Sequence, residues 1–137
     1  MPDTIRVVEY FYTVTSDRPG QAARILRDLK DAGINLIAFH GFPKGRRAQL
    51  DFVPSAPAAF KAAAKKARWK VVGPKRAFAI RGRDRAGALV DAFAKLARAR
   101  INVTATDAVS GGAGRFGAII WVKGRDVKRA ARALRAG

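Results

Sequence analysis

Apolar positions along the chain follow two rhythms. Ala22, Ile25, Leu26 and Leu29 stand at i, i+3, i+4 and i+7, which places them on one stripe of a helix. Leu89, Ala92, Phe93 and Leu96 form the same stripe later in the chain. A second pair of stripes is Phe60, Ala63, Ala64 and Ala67, then Val127, Ala130, Ala131 and Leu134. Between these helices lie runs rich in Val, Ile, Phe and Tyr, which predict strands over residues 7–14, 34–39, 48–53 and 69–72. In the second half the predicted strands are 76–80, 101–108 and 116–122. Residues 41–47 and 111–114 are rich in glycine and fit hairpin connections.

The two halves are copies. A shift of 67 residues, without a gap, lays Asp17 and Gly20 on Asp84 and Gly87, and Ile34-Asn35 on Ile101-Asn102. Phe11 then meets Phe78, Leu29 meets Leu96, and Gly45 meets Gly112. The first half reads β-α-β-β-α-β, the split βαβ or ferredoxin-like arrangement, and the second reads β-α-β-β-α. The expected fold class is therefore α+β: two ferredoxin-like modules in tandem, residues 1–72 and 73–137, the second lacking its last strand. Without that strand, residues 76–80 would keep an open sheet edge. The first strand is apolar on both faces rather than alternating, so its helix-free face is expected to be covered by the other half or by another chain.

Residues 15–36 run Thr-Ser-Asp-Arg-Pro-Gly through a helix to Gly-Ile-Asn-Leu, and this stretch resembles an ACT domain. The second copy keeps Asp84, Gly87, Ile101 and Asn102 but has Arg100 where a helix-ending glycine is usual. The resemblance implies a tandem of ACT-like modules that binds a small molecule, by expectation an amino acid, and regulates other proteins. It also implies a ligand site between modules, around the first strand–helix turn and the second strand. The residues there support a site by their own chemistry. Asp17 is expected to cap the first helix, with Pro19 pre-setting the first turn. Gly20 leaves the N-terminal amides open to a carboxylate. Arg18 and Gln21 flank that turn, and Asp84, Arg85 and Gly87 repeat it. Asn35 and Asn102 either bond a ligand or tie down their own turns. His40 and its repeat partner Asp107 are expected near a strand end, with His40 as a candidate contact. The competing reading is structural: Asp and Gly simply suit the start of a helix.

Charge adds a second possibility. The formal net charge is +18, and it is spread over the chain: 13 Lys+Arg against 6 Asp+Glu before Gly73, and 15 against 4 from there on. Such a field attracts polyanions, so nucleic-acid or protein interaction without a small ligand is the alternative function. The RNA-recognition strand signature, basic-Gly-aromatic-x-aromatic, is not in the sequence. There is no cysteine and one histidine, which excludes thiol chemistry and ordinary zinc sets. No Gly-x-Gly-x-x-Gly leads from a strand into a helix, no P-loop lysine motif occurs and no Ser/His/Asp order is found, so the chain reads as a non-enzyme that needs no cofactor. No apolar run approaches the length of a membrane span. The expectation is a soluble cytoplasmic protein, a homodimer, with no membrane partner.

Overall fold

A computed structural model describes residues 3–137. The elements are β1 (Thr4–Ser16), α1 (Gln21–Asp31), β2 (Leu36–Lys44), β3 (Arg47–Pro54), α2 (Pro57–Ala67), β4 (Val72–Arg83), α3 (Val90–Arg98), β5 (Val103–Gly112), β6 (Arg115–Val122) and α4 (Val127–Leu134), with a 3-10 turn at Gly124–Asp126. The fold is α+β with antiparallel hairpins, as the two rhythms predict. The chain forms two compact units. The first is Glu9–Lys75; the second joins the described residues up to Val8 to Arg76–Gly137. Strands β1 and β4 therefore each give residues to both units.

In the first unit the strands follow the order β2-β3-β1-β4. Phe11 of β1 lies opposite Phe52 of β3, which lies opposite Phe39 of β2. Because side chains alternate along a strand, this row faces the helices. Its core is Phe11, Leu29, Leu50, Phe52, Phe60 and Ala64. Phe60 of α2 stacks on Phe11 with centroids 4.5 Å apart, and Trp69 closes the end of the cluster at 6.1 Å from Phe60. Each fully buried phenylalanine contributes roughly 1.5–3 kcal/mol by leaving water. Gly73 is required by close approach: a Cβ there would sit 2.8 Å from the Tyr10 carbonyl oxygen, and its φ is +136°.

The alternate residues face away from the helices. Tyr12, Asp51 and His40 form one row across β1, β3 and β2. Asp51 and Val53 on that face are buried, as are Ala79, Ile119 and Trp121 on the corresponding face of the second unit.

The second unit has the order β1-β4-β6-β5. Phe78, Ile80, Ala92, Leu96, Phe116 and Ile120 lead its core, and Ile5 and Val7 of β1 pack against it. The Gly137 amide donates to the Ile5 carbonyl (3.0 Å), and the Val7 amide donates to the Gly137 carbonyl (2.8 Å). The expected open edge at residues 76–80 is therefore a correction: β4 has β1 as its neighbour, and Ala77 to Ile80 are all buried. A missing last strand leaves no vacancy here because residues 4–8 fill the place. A second correction concerns residues 69–72 and 76–80. A strand is not formed over 69–71, and β4 instead starts at Val72, runs through Gly73-Pro74 and takes in the whole of 76–80.

The backbone repeats as the sequence does. Left-handed residues recur 67 apart at Gly20 and Gly87, Gly33 and Arg100, Gly45 and Gly112, and Arg68 and Arg135. The gap-free match fails in one strand. An irregularity between Ser110 and Gly112 inserts a residue. It puts Phe116, Ala118, Ile120 and Val122 on the core side. The 67-residue partners of Leu50 and Phe52 would be Gly117 and Ile119. A one-residue slip exchanges the faces of a strand.

Candidate functional site

Each strand–helix turn is built around a glycine. At the first, the helix starts at Gln21, its N-cap is Gly20 with φ of 90°, and no side chain caps it. The Gln21 amide bonds the Arg18 carbonyl (3.2 Å), and Arg24 bonds Gly20 (3.0 Å). The expected cap by Asp17 is not formed: Asp17 stands three residues before the N-cap, and Asp17, Arg18 and Gly20 are exposed. Pro19 lies in the turn ahead of the helix rather than in its first turn. Gln21 does work here, since its Nε2 donates to Thr15 Oγ1 and Ser16 Oγ, both at 3.1 Å. It ties the helix start to the end of β1.

The second turn differs. Its helix begins at Val90 with Leu89 as an uncapped N-cap. Asp84 again does not cap. Its carboxylate accepts from Ser110 Oγ at 2.8 Å, and its amide donates to the Gly114 carbonyl at 2.8 Å. Arg85 turns to the other side and forms a two-pronged pair with Asp3, Nη1 to Oδ1 and Nη2 to Oδ2, each 3.2 Å. The hydrogen bond to Asp3 pushes the Arg85 guanidinium further above its already high ordinary value, so it stays charged. At the repeat position of Ser110 the first unit has Pro43, which cannot donate. The two turns are therefore chemically unequal.

A cleft of about 370 Å³ opens at the second turn. Asp84 and Gly87 form one wall; Val109 and Ser110 of β5 form the other, with Leu89 and Phe116 beneath. Val90 and Val109 flank it and are 64% and 69% exposed. The Val90 amide donates to the Gly87 carbonyl at 3.0 Å. The cleft thus offers a carboxylate, a hydroxyl and apolar walls within one unit.

The other predicted residues lie elsewhere. Ser16 and Lys44 both pair with Arg47, so the first turn sits at the hairpin end of its unit. Asn35 precedes Leu36, which pairs with Pro54, at the opposite end. α1, about 16 Å long at 1.5 Å per residue, spans the difference. The Asn35 carbonyl accepts from the Ser55 amide (2.9 Å) and hydroxyl (3.2 Å). Asn102 has the same place before β5, opposite to the Asp84 turn. His40 and Asp107 were expected near strand ends, and both are mid-strand, opposite Asp51 and Ile119. His40 contacts the Phe42 ring at 5.1 Å. Within its unit the structure brings Asp84 and Gly87 together and places Asn102 at the opposite end.

No protein-family model matches the sequence, and no curated protein does. Solved structures match the fold. A Bacteroides thetaiotaomicron protein superposes with a TM-score of 0.80 at 15% identity, over 96% of this chain and 88% of its own. The regulatory subunit of aspartate kinase from Thermus thermophilus gives 0.64 at 18% identity, over 98% and 96%. The fold is ACT-like. Aspartokinase III of E. coli, solved with aspartate and ADP, gives 0.55 at 14% identity over 97% of this chain, which spans 32% of that longer one. Within the ACT-like frame, sequence reasoning missed Val90, Val109 and Ser110. The apolar exposure of both valines is a tertiary property, while Ser110 beside a glycine hairpin carried no signal of its own.

Among the described residues no helix is long and apolar enough to cross a membrane.

Proposed function

We propose that this chain is a tandem of two ACT-like modules, repeat copies 1–72 and 73–137, that binds an amino acid and acts as a non-catalytic regulator. The recurrence of left-handed backbone positions 67 residues apart supports the tandem. The observation that carries the ligand reading is the cleft between the Asp84–Leu89 turn and β5. Asp84 suits an ammonium group, and Leu89, Val90, Val109 and Phe116 suit an apolar side chain. The ligand is accordingly an amino acid with an apolar side chain. Likeness to an aspartate kinase regulatory subunit agrees with a regulatory role.

The test is a thermal-shift series on the full chain with leucine, isoleucine, valine and phenylalanine. A ligand at 100 times its Kd should add about 2.7 kcal/mol of stability. Asp84→Asn and Val109→Asp should each remove that shift; Val109 is exposed, so its substitution leaves the core alone. Equal shifts with Val109→Asp, or none with any apolar amino acid, would reject this ligand.

A further inference from the structure

A second cavity lies on the other side of the same turn. It measures about 390 Å³ and is confined to the second unit. That is within the ~300–1,000 Å³ range of ordinary small-molecule sites. Its floor is apolar and well packed: Ile80 and Leu134 are 2% exposed and Ala92 is 6%. Ala88 and Ala92 face it from the α3 side, so the space exists because both residues are small.

Its rim is charged. Arg83, Arg85, Lys95 and Arg135 stand against Asp3 and Asp91, an excess of two positive charges. Arg85 and Asp3 neutralise each other in their two-pronged pair. That leaves Arg83, Lys95 and Arg135 facing a single carboxylate, Asp91. Among the described residues these three cations have no hydrogen bond to a protein side chain. Lys95 and Arg135 also line a neighbouring cavity of about 550 Å³ together with Arg98, so the positive field continues outward. Cations over an apolar floor hold a particular kind of molecule. A bare inorganic anion would leave the floor unfilled, and a neutral apolar molecule would leave the charges unused.

We propose that this cavity binds a small organic anion, one carboxylate or phosphate group on a compact apolar body. The acid group meets Arg83, Lys95 and Arg135; the body rests on Ile80, Ala92 and Leu134. The site is separate from the amino-acid cleft and does not depend on that reading.

The experiment is calorimetric titration of the full chain at fixed ionic strength with phenyl phosphate, phenylacetate and inorganic phosphate. Both aromatic anions should bind. Inorganic phosphate should bind at least about tenfold more weakly, a gap of roughly 1.4 kcal/mol. Phenyl phosphate binding tighter than phenylacetate would assign the acid group as a phosphate, and the reverse order as a carboxylate. Lys95→Ala should weaken the better ligand by about tenfold, while Ala92→Leu should fill the floor and abolish binding in a protein that still folds. Val109→Asp, in the other cleft, should leave anion binding unchanged. Equal binding of inorganic phosphate would overturn the proposal. So would binding that survives Ala92→Leu in a folded protein, or the absence of binding by all three probes.

Discussion

Arg100 holds a φ of 57° at the position where Gly33 holds 74° in the first unit. Both end a helix the same way: Ile34 bonds the Leu29 carbonyl at 2.9 Å, and Ile101 bonds the Leu96 carbonyl at 3.0 Å. A left-handed conformation costs an L-residue about 1–2 kcal/mol, whereas glycine is penalised mainly by its freer unfolded chain, about 0.5–1 kcal/mol. Arg100→Gly should therefore stabilise the fold by roughly 0.5–1 kcal/mol, read from urea unfolding. A loss of stability would mean the Arg100 side chain makes up the strain through contacts. The helix ending was legible here even though the residue type departed from the pattern, because Ile101-Asn102 marked it. The misread residues were Asp17 and Asp84. Their type suits a cap, but a cap must immediately precede the helix, and a left-handed glycine stands between each aspartate and its helix.

Among the elements, the helix stripes and hairpins were legible because each is a local period. The true start of β4 at Val72 was not. Gly73-Pro74 reads as a break, yet it lies inside β4 where Gly73 fits against Tyr10 and Phe11. The inserted residue near Gly111 was hidden because neighbouring glycines align equally well in either register. The ladder of the first unit also sets a titration. Burial, then the Asp51 carboxylate, then Tyr12 push the Tyr10 phenol above its ordinary value near 10. Neutral Tyr10 is favoured in the fold, so its contribution is complete below pH ~10 and falls as pH rises from there through the raised folded value. The chain has two tyrosines, so Tyr12→Phe leaves Tyr10 as the one phenol. Phenolate absorbance of that variant should titrate at higher pH when folded than in urea, and Asp51→Asn should bring the folded midpoint down. Coincident folded and unfolded curves would contradict this account.

For the whole molecule, four of the six large exposed apolar residues among those described lie on the edge strands of the units: Ile37, Phe39 and Phe42 on β2, and Val109 on β5. Apolar edges invite pairing, and the amino-acid cleft beside Val109 would be closed from water by a second copy. We expect a dimer, with light scattering at micromolar concentration giving twice the single-chain mass of 14.8 kDa. A concentration-independent mass of one chain would reject it. The open edge expected at β4 is not formed: β1 gives residues to both units, and the contact of Ile5 and Val7 with residues beyond Arg76 is not local and so not legible in the sequence. That same path has a consequence during synthesis. Residues 4–8 leave the ribosome early, but the segment they pack on begins at Arg76. At about 5–20 residues per second, translation keeps this apolar strip waiting for several seconds. Glu9–Lys75 is made in that interval. Residues 4–8 thus find their place only after the segment between them and Arg76 has been made.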